Sequence, residues 1–196
     1  MTTSTLESFH ISFGWKRREK IYDKPERPSS WPVLFAALVT FFDDYEGTFC
    51  LHLDDTKVEF DLEWDLPRVF ESIPKELEGV LHNNGLPHAL DFTGQTTAVL
   101  VTLVPHDQQL TIEFKPFVEP PEYYYQFFGR QFHVNTAQFI SEWVRFASAV
   151  LDAVREHDPS VTEDPEVKRY TERLEALRNA VKTGKVDPSA LPERAE

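Results

Sequence analysis

Alternation with a period of two opens the chain. Phe9, Ile11, Phe13 and Trp15 interleave with His10, Ser12 and Gly14, and because successive strand side chains point to opposite faces, this predicts a half-buried strand. The period then changes. Val33, Leu34, Leu38, Phe41 and Phe42 fall on one helical face, with Ser29 or Ser30 as the expected cap and Pro32 in the first turn, where a missing N–H costs nothing.

Alternation returns after Gly47. Thr48 to Leu53, a turn at Asp54-Asp55-Thr56, and Lys57 to Trp64 predict a hairpin. Its second strand places Val58, Phe60, Leu62 and Trp64 on one side and Glu59, Asp61, Glu63 and Asp65 on the other, the acids roughly 7 Å apart. A helix is expected from Pro67 through Val69, Phe70, Ile73, Leu77, Val80 and Leu81, kinked or split at Pro74. Three strands follow, Ala89 to Thr93, Thr96 to Val104 and Gln109 to Phe117, the last two joined by the turn-like Pro105-His106-Asp107-Gln108, and Gln131 to Val134 adds a short edge strand.

The last third is helical. Asn135 or Thr136 caps a helix with Phe139, Ile140, Trp143, Ala147, Val150, Leu151 and Val154 along one stripe, ending at Asp158-Pro159. Asp164-Pro165 starts another, whose Val167, Tyr170, Leu174, Leu177 and Val181 are spaced 3, 4, 3, 4, a narrow seam that fits a helix of this chain or of a second copy. Hairpins outnumber βα alternations, so the fold class is α+β: an antiparallel β-sheet covered by helices on one face, with a C-terminal helical pair. Residues 1–157 form the expected domain, 158–184 a helix packed on it, and 185–196 a tail.

Composition narrows the function classes. In 196 residues, 41% are hydrophobic and sixteen are Phe, enough for a packed core. The formal charge of −13 argues against nucleic acid and anionic membrane as partners, since both need clustered Lys and Arg. The lone Cys50 excludes an internal disulfide and reads as a small buried strand residue. The N-terminal residues lack the basic and apolar regions of a signal peptide, and the longest apolar run, Trp31 to Phe42, falls short of the ~20 residues a bilayer span needs. A cytoplasmic protein is expected.

Twelve acids stand between Asp43 and Glu78 against Lys57, Arg68 and Lys75, a net −9. Like charges in a row repel, so Glu59, Asp61, Glu63 and Asp65 form either a solvated outer face or a docking face for a basic partner. Glu119 to Arg130 is the other unusual stretch. Its Tyr123, Tyr124 and Tyr125 are candidate anchors, because Tyr brings large area at little rotamer entropy; otherwise the rings fold over the sheet edge.

Catalytic candidates are thin. Asp91 with Glu113-Phe114-Lys115 offers the two acids and a Lys of a metal-dependent hydrolase, though Glu-x-Lys is frequent on exposed strands. The seven His show no zinc-binding spacing, and there is no phosphate-binding Gly-rich loop or nucleophile elbow. No cofactor, metal site or catalytic residue is assigned.

The acidic stretch from Asp43 to Glu78 and the aromatic cluster Tyr123–Phe128, in an α+β chain of this size, resemble the immunity proteins of bacterial polymorphic-toxin systems. The resemblance is one of class, with no family motif matched residue by residue. It implies a non-enzymatic module that binds a cognate toxin domain, often a basic nuclease, and neutralises it. A subunit of a homo-oligomer, such as a homodimer, or of another complex, joined through the last helix, is the main alternative.

Overall fold

The computed structural model describes residues 6–19, 28–82, 85–92, 98–117 and 127–184. Two antiparallel sheets make the frame. β1 (Phe9–Arg17), β2 (Tyr45–Leu53) and β3 (Thr56–Asp61) form one, in that order, and β4 (His88–Phe92), β5 (Val99–His106), β6 (Gln109–Pro116) and β7 (Gln131–Asn135) form the other. A parallel bridge between Glu7 and Val134 links them, with the Glu7 N–H donating to the His133 carbonyl at 2.7 Å. The β2–β3 and β5–β6 turns each use two residues with an Asp at positive φ, Asp54 at 49° and Asp107 at 54°, as a short side chain able to bond its own backbone allows. The second turn is tighter than its composition suggests, because Pro105 stays in β5, paired with Leu110.

Alternation decides which faces are buried. Phe9 and Ile11, Phe49 and Leu51, Val58 and Phe60 point inward from the first sheet, and Leu90, Val101, Leu103, Ile112, Phe114 and Phe132 from the second. Between them runs α4 (Thr136–His157), with Phe139, Trp143, Phe146 and Val150 buried. The Trp143 ring has Phe49, Phe92, Phe139 and Phe146 within 6.5 Å. Phe60 of β3 and Phe92 of β4, from different sheets, lie 4.4 Å apart, so one core serves both.

The other helices seal the rest. α1 (Val33–Asp44) begins without a side-chain cap: Pro32 occupies the cap position, and the serine cap expected from sequence is not used. The Pro67 helix is two pieces, α2 (Leu66–Phe70) and α3 (Ile73–His82), with Pro74 near the start of the second, where its missing N–H breaks no bond. After a 3-10 turn (Pro159–Glu163), α5 (Pro165–Thr183) starts under an Asp164 cap that accepts the N–H groups of Glu166 and Val167 at 2.8 and 3.3 Å. Val167, Tyr170, Leu174 and Leu177 are buried against α1, α3 and α4 of this same chain. Tyr170 stacks on Phe70 at 4.9 Å, and its hydroxyl donates to the Phe70 carbonyl at 3.0 Å. None of the described helices is long and apolar enough to cross a membrane.

Candidate interaction surface

The acidic strand stops early. β3 ends at Asp61, and residues 62–65 are a turn leading into α2, so Glu59, Asp61, Glu63 and Asp65 do not form the expected row. Local hydrogen bonds explain the change. The Asp61 carboxylate accepts the N–H groups of Glu63 at 2.7 Å and Trp64 at 3.0 Å, while Asp65 accepts the N–H of Asp61 at 2.9 Å. Short acidic side chains that bond nearby N–H groups compete with the strand ladder, and here they end it.

Each acid consequently has a different role. Glu59 remains on the open strand face and pairs with Lys57 at 2.9 Å. Asp61 holds the turn. Glu63 pairs with Arg18, a half-buried contact, and burial pushes its carboxyl above the usual range despite that Arg. Asp65 is buried, 1% exposed. The charge presented to a partner is thus much smaller than four free carboxylates.

The same turn reverses Trp64. Strand alternation assigns it to the core beside Leu62, yet it is 47% exposed whereas Leu62 is buried. The sequence did hold a signal for this: two Asp four residues apart, directly before Leu66-Pro67, have turn and helix-start composition. Arg18 is held to Asp44 as well, its backbone N–H donating to the Asp44 carbonyl at 2.8 Å. Tyr123, Tyr124 and Tyr125 lie outside the described residues.

The outer face of the first sheet carries a polar chain. His52 Nε2 and Ser12 Oγ are 2.7 Å apart, the His10 and His52 rings lie 5.8 Å apart, and His10 Nδ1 meets Glu142 at 2.8 Å. Burial, then His10 and Lys57, lower the basicity of His52. Cys50 is buried beside Glu59, and burial raises its thiol above the ordinary value, the opposite of an activated nucleophile.

Asp91, Glu113 and Lys115 share the outer face of the second sheet. Asp91 and Lys115 flank Leu100 from opposite sides, and Glu113 sits against Thr102 two residues along. Strand spacing separates the Asp91 and Glu113 backbones by about 12 Å, and Glu113 pairs with Lys115 at 3.3 Å. Among the described residues no group of three His, Cys, Asp or Glu side chains gathers around a common point that would hold a metal ion. The α5 seam, the contact of the homodimer alternative, is occupied within the chain. No family model, curated protein or solved structure matches the chain.

Proposed function

We propose that the protein is a non-enzymatic, acidic protein-binding module for a basic partner, an immunity protein that neutralises a cognate toxin domain. The observation that carries this reading is Trp64. Its indole is half exposed on a turn whose backbone is held by Asp61 and Asp65, beside the Glu63–Arg18 pair. Tryptophan is among the residue types most enriched at energetic centres of interfaces, and a rigid turn presents it at little entropy loss. Isolated exposed apolar residues are common on any surface. What singles out Trp64 is the coincidence of a large exposed ring and a turn fixed by its own hydrogen bonds.

Tyr123, Tyr124 and Tyr125 remain proposed anchors, and Glu59 is the proposed steering charge that is still on an open face. Charge complementarity of this kind acts chiefly on association rate. The test is co-expression with the variable, basic C-terminal domain of a secreted protein encoded beside it, followed by binding kinetics. A 1:1 complex is expected, weakened roughly thirtyfold by Trp64→Ser, as for an anchor worth about 2 kcal/mol. A complex indifferent to Trp64 removes this turn from the interface; failure of any such domain to bind removes the reading itself.

A further inference from the structure

At the edge of the first sheet, where β1 and β2 meet the C-terminal ends of α1 and α4, Trp15, Phe41, Tyr45, Ala153, Glu156 and His157 line an open cleft of about 270 Å³. Its rings are held at fixed mutual angles. Trp15 stands edge-on to Phe41 at 5.9 Å, Phe41 stacks on Tyr45 at 4.5 Å, and His157 meets Phe41 edge-on at 5.6 Å. His157 is fixed by Asp44 at 2.9 Å. Opposite Trp15 in the β1–β2 register is Gly47, which puts no side chain between Tyr45 and Phe49.

We propose that this cleft binds an organic cation with an apolar skin, a quaternary ammonium or a guanidinium group. Trp15, Tyr45 and His157 bring partly exposed rings to the cleft, and aromatic rings attract a cation through their quadrupoles. The adjoining carboxylates of Glu156 and Asp44 oppose an anion, and the half-buried rings oppose a strongly hydrated ammonium, whose water is costly to remove. The same ring row already takes one cation, since Phe13, stacked on Trp15 at 5.8 Å, has the Arg145 guanidinium 5.0 Å from its centre. Arg17 pairs with Tyr45 in register but is exposed and does not line the cleft. The volume lies just below the usual range of ligand clefts, about 300–1,000 Å³, which favours a small head group.

The test uses the full chain, with titrations of choline, agmatine and 3,3-dimethylbutan-1-ol, the neutral isostere of choline, followed by calorimetry and by the indole N–H resonance of Trp15. Either cation is expected to shift that resonance and to bind at least about tenfold more tightly than the neutral alcohol. Glu156→Gln, a surface change, should weaken the cation several-fold and leave the alcohol and the melting temperature unchanged. An arginine-containing tetrapeptide separates the sources: binding of the peptide without agmatine assigns the cation to a protein side chain, and binding of free cations assigns it to a small molecule. Equal binding of choline and its isostere, or an unmoved Trp15 resonance with every probe, overturns the proposal.

Discussion

The Asp65 carboxylate accepts the backbone N–H of Asp61, at 2.9 Å, from a fully buried position. This bond, with the two that Asp61 accepts in return from Glu63 and Trp64, ends β3 and turns the chain into α2. Asp65→Ala leaves the Asp61 N–H without its acceptor, and a loss of about 1–3 kcal/mol in urea unfolding is expected. Asp61→Ala removes two acceptances at a more open site and should cost about 1–2 kcal/mol. Trp64→Ser, by contrast, should stay within about 0.5 kcal/mol of the parent. A Trp64 change as costly as that of Asp65 would mean that the indole is part of the core.

β1 and β2 approach closely at Gly47. A Cβ there would stand 2.1 Å from the Gly14 carbonyl oxygen and 2.8 Å from the Trp15 Cα, both backbone atoms that cannot swing aside. Gly47→Ala should therefore destabilise by at least the ~1–3 kcal/mol of ordinary overpacking. Gly14→Ala, whose Cβ meets nothing within 4 Å, is the control and should stay near the parent. Equal melting temperatures for the two variants would contradict the register that pairs Trp15 with Gly47.

Two glutamates predict pH dependences of opposite sign. For Glu142, burial raises the pKa, but the Arg145 side chain, the Ile11 N–H and His10 together outweigh it and bring it below the ordinary 4.5. A depressed acid stabilises the fold above its unfolded pKa and loses that contribution as pH falls through the folded value. Glu142→Gln should therefore melt lower than the parent at pH 7, with the gap closing below about pH 4.5. Glu71 is the reverse: desolvation and then the neighbouring Glu166 raise it above 4.5, against one N–H from Phe35. Glu71→Gln should melt higher at pH 7, and its advantage should fade as acid protonates the parent. Melting curves of both variants between pH 3 and 8 check this; gaps of the same sign at pH 7 would contradict the environments described.

What was legible in the sequence follows from the range of the interactions involved. Period-two and period-3.6 patterns reflect burial of a residue's own element, so β1, the Asp54-Asp55 hairpin, α4 and the Asp164 cap of α5 could all be read directly. The end of β3 could not be read from alternation, because Glu59 to Asp65 alternates equally well in a strand or into a turn, and the choice rests on three bonds made by Asp61 and Asp65. The division into two sheets rests on β3 and β4 not pairing while every other consecutive pair of strands does, and nothing local encodes that break. The aromatic cleft is less visible still. Trp15, Phe41, Tyr45 and His157 come from three separate stretches, and each has an ordinary core or surface reading where it stands.

The last helix offers a decision by magnitude. Val167, Tyr170, Leu174 and Leu177 are buried on α1, α3 and α4, and Arg173 forks onto Glu78 of α3, with Nε to Oε1 at 2.7 Å. Each buried apolar side chain contributes about 1.5–3 kcal/mol, so the four together represent about 6–12 kcal/mol. A whole domain is stable by only about 5–15 kcal/mol. A chain ending at His157 should therefore lose cooperative unfolding and aggregate, as light scattering and far-ultraviolet dichroism would report. Arg173→Ala in the full chain should cost about 1–3 kcal/mol, since it leaves the half-buried Glu78 carboxylate without its partner. If the shortened chain instead stayed folded with half the mass of the full-length species, the seam would join two chains, and the homodimer would replace the intrachain packing described above.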